Sequence, residues 1–496
     1  MRRDFHYRSD FVPKTIFGTT EKSNFILNMK PETLQKWTGA MLMLCVLIPQ
    51  IGNLFITGLN SSSSFLGSFL YLTGFGSILF FIIAMLRKEH TFKENKIYWA
   101  IIFMAVWAFA SYYSVFFANN MDGTSETVRT ALEGELGRYE GLLSLIAYFG
   151  IFLLATTVSS ERSVKVLMDV IIGAGIIQAV IAVLQHIPNL DFLTKYDDLP
   201  TLALRDVMLS SGLSDSPIFF GSFLTLVSGI AIVGAVYEKN IIRARVYGIA
   251  ALLFLLTGLF TSSIVPLIGI GSAFVIATVI ILIKNSKDKT EFSDGILKTP
   301  LKRYAVLAGA MVIAFVIVLL VQGIYIRDKA IAYYDAYFRL FIVYSYSPVD
   351  KRSLYEIAWG RSLDFIKENP VFGVGPDCLA KAQNISEELQ INAIDKSYNE
   401  YLYIAATRGI PSLAAYLVFI VYVLKRSFGG LKSFFGDTEK WYRPALLAAV
   451  AAYMIQGFFS ASSVTVAPVF WLAAGIVCAK KLDKPNSNMV FQRVNK

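Results

Sequence analysis

The segment from Asp395 to Pro411 holds the groups in this chain that are most able to do chemistry. It is polar and runs directly into an apolar stretch, in a chain that is otherwise mostly apolar. Its carboxylates can take up or release a proton, and its cations can bind anionic oxygens. We therefore expect function to gather around Asp395, Lys396, Tyr398, Asn399, Glu400 and Arg408.

Further cations in the polar segments indicate a phosphate or pyrophosphate site. Arginine offers a rigid fork of donors for phosphate oxygens and keeps its charge when partly desolvated. The cations concerned are Arg129, Arg138, Arg205, Arg352, Arg361, Lys396 and Arg408. The alternative is local pairing, of Arg138 with Glu135 or Glu140, and of Arg352 with Glu356 one helical turn on.

Other kinds of site find little support in the residue pattern. The sequence has no GxxxxGK(S/T) phosphate loop, which an ATP-driven pump would need to bind its nucleotide. Any chemistry must therefore use an energy-rich substrate that is delivered within or outside a membrane. The three cysteines are isolated and show neither a disulfide framework nor metal-ligand spacing. We expect neither a metal nor a cofactor.

The composition predicts an all-α, polytopic membrane protein. The chain is 55% hydrophobic and 17% charged, with a mean hydropathy of +0.55, whereas soluble domains carry about a quarter charged residues. Apolar runs of about 20 residues match the bilayer core. They predict twelve spans, at 38–58, 66–86, 98–117, 141–158, 164–185, 213–236, 246–262, 264–283, 304–324, 401–424, 443–460 and 464–479. The pair 246–262 and 264–283 is nearly continuous, so it could form one element or two.

The distribution of basic residues predicts the orientation of these spans. With the N-terminus inside, most of the 46 Lys and Arg fall in inner segments, as the positive-inside rule requires. The net charge of +10 is then a topology signal, and we expect contact with a lipid bilayer rather than with nucleic acid. The positive-inside rule disfavours Lys and Arg in outer segments. The presence there of the cations named above therefore needs an explanation. The predicted order is a cytoplasmic tail (1–37), spans 1–9 (38–324), a large extracytoplasmic loop (325–400), spans 10–12 (401–479) and a cytoplasmic tail (480–496).

The large loop should be folded, because it is rich in aromatic residues. Residues Arg352 to Lys367 predict an amphipathic helix that stops at Asn369-Pro370. The glycines between Gly373 and Pro376 then predict a tight turn.

Three segments resemble the O-antigen ligase/O-antigen polymerase family of polytopic glycosyltransferases, closest to forms from Gram-positive bacteria. Gly137–Leu143 is similar to the family's outer-loop motif before the fourth span. Trp359–Leu363 and Asn369–Asp377 resemble its helix and glycine turn in the large loop. The strongest signature stands at the entry to the next span, at Asp395–Leu402 and Thr407–Pro411.

The resemblance implies a C-type glycosyltransferase fold that uses neither a metal nor a nucleotide sugar. Such enzymes take a glycan from polyprenyl (undecaprenyl) pyrophosphate in the outer leaflet of the bacterial plasma membrane. They transfer it to an acceptor hydroxyl on a glycan, a lipid or a protein. Cations would stabilise the pyrophosphate leaving group. Arg138, Arg361 and Arg408 match positions in the family motifs, and Arg352 lies about three residues from where the family places another arginine.

On the acceptor side the resemblance implies roles for Tyr398, Asn399 and Glu400, but the pattern departs from the family there. Tyr398 stands where the family usually has a histidine, the presumed base for the acceptor hydroxyl. A phenol with a pKa near 10 is a poor base at neutral pH. Carboxylates that could replace it are Glu400, Asp395, Asp377 and Glu356. Two further departures are Thr261–Ile264, where Ser-Arg is common, and Asp215–Ile218, where an Asn-Pro-Asn turn is common.

These departures leave three functions open. The first is a divergent transferase, either polymerase or ligase, and the second is a non-catalytic paralogue that binds the lipid-linked glycan. The third is a transporter or flippase of that unit, which would place charged groups at mid-membrane between repeated halves. The predicted span interiors are almost free of charge and show no repeat.

Overall fold

The structure is a computed structural model that describes residues 30–59, 64–135, 139–187, 210–214, 216–261, 263–288, 300–328, 354–383 and 395–483. Over those ranges the regular structure is helical and contains no strand. The α-helices are α1 (Pro31–Leu59), α2 (Ser64–Leu86), α3 (Ile97–Tyr112), α4 (Ser125–Glu133), α5 (Leu142–Ala155), α6 (Glu161–Gln185), α7 (Pro217–Tyr237), α8 (Ile241–Phe260), α9 (Ile264–Asp288), α10 (Pro300–Asp328), α11 (Leu354–Glu368), α12 (Glu400–Gly436), α13 (Tyr442–Gln456) and α14 (Ala467–Val477).

Side-chain caps fix the starts of several helices. The Ser216 hydroxyl accepts from the Ile218 amide, and Pro217 occupies the first turn of α7. Asn240 caps α8 in the same way, through the amides of Ile242 and Arg243. Such caps satisfy amide groups that have no partner within the helix.

Among the described residues, eight helices are long and apolar enough to cross a membrane, which indicates a multi-pass membrane protein. They lie at Gly67–Leu86, Ile97–Phe116, Glu161–Gln185, Pro217–Tyr237, Ile241–Phe260, Ile264–Lys287, Pro300–Val318 and Glu400–Gly436, and two shorter apolar helices are α5 and α14. Each of the twelve apolar runs coincides with a helix, and the run from 246 to 283 is divided between α8 and α9. The number of spans and their sidedness stay predictions.

Helix α7 lies at the centre of the bundle. Every residue from Phe219 to Tyr237 is buried, and α7 packs against α8, α9 and α13. The close approach to α13 needs a glycine, because a Cβ on Gly229 would lie 2.5 Å from the Ala449 amide nitrogen. Small residues at such crossings let membrane helices pack through their backbones.

Helices α3 and α10 turn apolar side chains outward. Trp99, Val106, Val312 and Ile313 are all more than half exposed. Exposed apolar surface of this extent is what a lipid-facing helix presents.

Candidate functional site

The site is built on a break in α12. Gly409 has φ +81° and ψ 165°, which interrupts the helix, and Pro411 follows it. Because proline has no N–H, the carbonyl of Thr407 four residues earlier loses its helical donor. The break therefore exposes backbone groups that need partners from elsewhere.

The turn after α11 supplies those partners. The amides of Val374 and Gly375 donate to the carbonyls of Ala406 and Thr407, both at 3.0 Å, and the Ile410 amide donates to the Pro370 carbonyl at 2.8 Å. The predicted helix ending before Pro370 and the predicted glycine turn are both present, as α11 and this docked turn.

Two glycines make this docking possible. A Cβ on Gly409 would lie 1.9 Å from the Val371 carbonyl oxygen, and one on Gly373 would lie 2.4 Å from the carbonyl carbon of Thr407. Both glycines also have positive φ, a conformation that glycine adopts without a steric penalty.

The docked turn presents Asp377 to a buried ionic cluster around Lys396. The Lys396 Nζ donates to Glu140 Oε2 at 2.5 Å, to Asp377 Oδ1 at 2.8 Å and to Tyr403 Oη at 2.8 Å. Its side chain is only 1% exposed. A buried ammonium is tolerated when charged and hydrogen-bonding partners surround it in this way. The cluster joins the segment before α5, the turn after α11 and the start of α12.

The two carboxylates of the cluster differ in how fully they are bonded. Asp377 also accepts from the amides of Glu135 (2.8 Å) and Glu140 (3.4 Å) and from the Tyr403 hydroxyl. Glu140 Oε2 accepts from Lys396, while Glu140 Oε1 is buried and has no hydrogen-bond partner in the described part of the chain.

This difference separates their proton affinities. Burial raises the pKa of Glu140 to about 7, in spite of the neighbouring Lys396 ammonium. Burial also disfavours ionisation of Asp377, but Lys396 and the hydrogen bonds from Tyr403 and the Glu135 amide outweigh it and lower the pKa of Asp377. Environments that separate the pKa values of two neighbouring carboxyl groups in this way are typical of sites that move protons.

A small cavity of about 30 Å³ opens beside the cluster. Its polar lining comes from Glu140, Asp377, Glu400, Tyr403, Thr407, Arg408, Ser412 and Ser462. Its apolar wall includes Tyr148, Phe149, Tyr416 and Trp471. Carboxylates and a guanidinium thus face one small space, in a largely apolar surrounding.

Residues 249–417 match the family model for O-antigen ligase. The match confirms the resemblance to the O-antigen ligase/polymerase family that the sequence motifs indicated. It runs from α8 to the first part of α12 and includes the docked turn, Lys396, Glu400 and Arg408, whereas Glu140 precedes it. A search of curated proteins found no match to this chain.

The three acceptor-side residues that the family motifs suggested have different surroundings. Glu400 lines the cavity, and its Oε2 accepts from the Ser462 amide at 2.5 Å. Asn399 caps α12, because its Oδ1 accepts from the amides of Tyr401 (3.0 Å) and Leu402 (3.1 Å). Tyr398 lies outside the cavity lining, and its ring contacts Tyr355 with centroids 6.2 Å apart.

The structure places two of the four suggested pyrophosphate-binding arginines. Arg408 lines the cavity. Arg361 lies on α11 outside that lining and donates from Nη1 to Gln383 Oε1 at 2.5 Å. Arg138 and Arg352 lie outside the described residues.

Lys396 and Glu140 have a larger part in this site than their sequence positions suggested. The sequence marked Lys396 as one outer cation among several, and Glu140 only as a local partner for Arg138. In the structure Glu140 binds Lys396, which is far along the chain. A signal was present, because both residues lie inside motif segments that also contain other predicted site residues.

Proposed function

We propose that the protein is a membrane glycosyltransferase of the O-antigen ligase or polymerase type. It would move a glycan from polyprenyl (undecaprenyl) pyrophosphate to an acceptor hydroxyl on a glycan, lipid or protein. The observation that carries the proposal is the meeting of three distant motif segments at one cavity, where Glu140, Asp377, Glu400 and Arg408 face each other. The family match supports the same class of reaction.

On the donor side, cations would stabilise the pyrophosphate as it leaves. Arg408 has the most direct support, since its side chain faces the cavity from beside the break in α12. Arg361 and Arg138 are assigned to the pyrophosphate by their motif positions, and Arg352 because it lies close to the position of another family arginine. Fixed cations where negative charge develops lower the barrier to transfer.

On the acceptor side, Glu400 would hydrogen-bond the acceptor at the cavity, and Asn399 would hold the start of α12. Tyr398 belongs to a group of aromatic rings with Tyr355, Trp359 and Phe459. The Trp359 Nε1 is buried without a hydrogen-bond partner among the described residues. Partly exposed rings with an available donor suit the apolar faces and hydroxyls of a sugar.

We place this site at the outer face of the bacterial plasma membrane, with twelve spans and both termini cytoplasmic. Basic residues at the other helix ends support this orientation. Lys239 pairs with Glu439, Arg443 pairs with Asp483, and Lys284 donates to the Phe435 carbonyl. These contacts gather at the end of α12 away from Glu400, where positive charge is expected inside.

The purified protein should release polyprenyl pyrophosphate from undecaprenyl pyrophosphate-linked glycan only when an acceptor glycan is added. Arg408→Ala and Arg361→Ala should each lower this turnover by about 10²- to 10³-fold, the usual cost of removing one electrostatic stabiliser. Arg129→Ala is the matched control, because that arginine is exposed and pairs locally with Glu133. Chromatography of the released lipid measures the result.

Binding of the lipid-linked glycan without acceptor-dependent release would contradict the transferase and favour a non-catalytic binding protein. Transfer of a labelled polyprenyl-linked glycan across liposomes by the purified protein would favour a flippase instead.

A further inference from the structure

The proposed reaction needs a proton acceptor, and the position of the family histidine does not provide one. Tyr398 lies outside the cavity lining, and a phenol remains protonated at neutral pH. Among the groups that do line the cavity, carboxylates are the available bases: Glu140, Asp377 and Glu400.

We infer that Glu140 accepts the proton of the acceptor hydroxyl, an assignment that rests on the proposed transferase function. Its Oε1 has no hydrogen-bond partner among the described residues, in a side chain that is only 5% exposed and lines the cavity. Lys396 holds the other oxygen, Oε2, at 2.5 Å. The carboxylate is therefore fixed in orientation at the cavity wall, and among the described residues its Oε1 carries no competing hydrogen bond.

The neighbouring carboxylates are less suited to this role. Both oxygens of Asp377 are occupied, Oδ1 by Lys396 and Tyr403, and Oδ2 by two backbone amides. Glu400 Oε2 accepts from the Ser462 amide, and because its motif position suggests the acceptor side, we assign Glu400 to holding the acceptor.

The step balances as a simple displacement. The acceptor oxygen forms a bond to the anomeric carbon of the donor glycan as the bond from that carbon to the pyrophosphate oxygen breaks. The pyrophosphate leaves with the bonding electron pair, and the acceptor proton moves to Glu140 Oε1. Proton uptake neutralises Glu140 while Lys396 remains charged, so the cluster loses one negative charge as the anionic leaving group forms.

The charges around Glu140 agree with this role. The charged and titratable groups facing it are Lys396, Asp377, Glu400, Tyr403, Arg408, Tyr148 and Tyr453. Burial, the largest effect, raises the pKa of Glu140 to about 7, so a large fraction is ionised at neutral pH. A base whose pKa lies near the working pH is the most effective general base.

The first test compares Glu140→Gln with the wild type under saturating donor and acceptor. Loss of a positioned base should lower kcat by about 10²- to 10⁴-fold, while the Kd for the undecaprenyl pyrophosphate-linked glycan stays unchanged. Glu133→Gln is the matched control, because Glu133 lies in the same segment but is exposed and pairs with Arg129. Wild-type kcat in Glu140→Gln would overturn the assignment.

The pH profile separates a proton-accepting role from a structural one. Wild-type kcat should fall as pH drops through about 7, because Glu140 becomes protonated there. Glu140→Asp keeps the charge partner of Lys396 with a shorter side chain, so it should fold, retain part of the activity and shift that acidic limb. If Glu140→Gln does not fold, Glu140→Asp decides the question. A wild-type kcat in Glu140→Asp, with the acidic limb of its pH profile at the wild-type position, would overturn the assignment.

The results distinguish loss of the proton acceptor from loss of the transferase function. If the wild type is active and Glu140→Gln has the same kcat, only the assignment of Glu140 as proton acceptor is rejected. A wild type that binds the lipid-linked glycan but never releases polyprenyl pyrophosphate rejects the transferase, and the proton acceptor with it.

Discussion

At the scale of single residues, the site depends on one buried cation. Lys396 has three polar partners and almost no contact with solvent. Such an ion pair contributes little relative to apolar packing, but removing one partner leaves a buried charge without compensation. Lys396 therefore holds Glu140, Asp377 and Tyr403 in place.

Lys396→Ala should lower the free energy of unfolding by about 3–5 kcal/mol, the usual cost of leaving buried charges unpaired. Thermal unfolding in detergent measures the change. Lys367→Ala is the control, because that lysine is 75% exposed and pairs with Asp364 three residues earlier. Equal melting temperatures for the two variants would contradict a structural role for the buried cluster.

Three residues in the motif segments have backbone conformations that side chains disfavour. Tyr139, Asp377 and Tyr398 have φ of +52°, +55° and +46°. Residues other than glycine rarely adopt such angles, and strained backbone tends to occur at functional sites. Asp377 lines the cavity, while Tyr139 and Tyr398 lie within two residues of the cavity-lining Glu140 and Glu400.

Replacing Tyr398 tests whether its ring or a base matters at that position. Tyr398→Phe keeps the ring and should leave turnover unchanged if Glu140, as we propose, takes the acceptor proton. Tyr398→His should lower turnover, since a smaller ring contacts Tyr355 less well. Turnover with a labelled acceptor is measured for both variants. Lower turnover in Tyr398→Phe, with wild-type turnover in Tyr398→His, would show that the phenol hydroxyl takes part.

At the scale of elements, the docking of the glycine turn against the break in α12 positions the site. The turn satisfies the carbonyls of Ala406 and Thr407, which the break leaves without helical donors, and places Asp377 next to Lys396. The break also changes the direction of the chain beside Arg408. A substitution that disturbs the break in α12 should therefore also remove activity.

Gly409→Ala should destabilise the protein by at least about 1–3 kcal/mol, because only glycine tolerates this backbone conformation and a Cβ would meet the Val371 carbonyl. Gly429→Ala is the control on the same helix. A Cβ added at Gly429 would meet nothing within 4 Å, so alanine should stabilise α12 by about 0.5–1 kcal/mol. Thermal unfolding should shift in opposite directions, and a shift of both in the same direction would contradict this role of Gly409.

At the scale of the whole molecule, apolar run length was a good guide to helices and a poor guide to their ends. All twelve apolar runs fall on helices, but α12 continues to Gly436, past the predicted end at 424. Residues 425–436 mix Lys425, Arg426 and Lys432 with serines, glycines and four large apolar residues, so their mean hydropathy is too low to predict a span, although the backbone stays helical. Prolines and glycines correctly predicted where α11 ends and the chain turns.

The site was less predictable because its contacts are distant in sequence. Glu140 and Lys396 lie 256 positions apart, and no local pattern states which carboxylate meets which cation. Glu140 and Asp377 are both buried and differ in the hydrogen bonds that they receive, and those bonds follow from packing rather than from residue type. The motif resemblance marked the segments that the structure brings together at the cavity, while the pairing within them required the structure.

The proposed orientation can be tested by thiol labelling of intact cells. The cysteines Cys45, Cys378 and Cys478 are all buried, so the unmodified protein should label weakly. Asp364→Cys, on the exposed face of α11, should react with an impermeant maleimide added outside. Lys239→Cys should react only after permeabilisation, and labelling of both from the same side would refute the orientation.

The buried cluster also has a consequence for biosynthesis. The chain is made from its N-terminus, so Glu140 and Asp377 both emerge before Lys396. Until Lys396 arrives, two carboxylates must approach each other without their shared cation, which like-charge repulsion opposes. A chain that stops before residue 396 therefore cannot close this site. The cell's quality-control machinery would encounter such a chain as a partly folded intermediate. Closing the site therefore waits for a residue that is synthesised after both of its carboxylate partners.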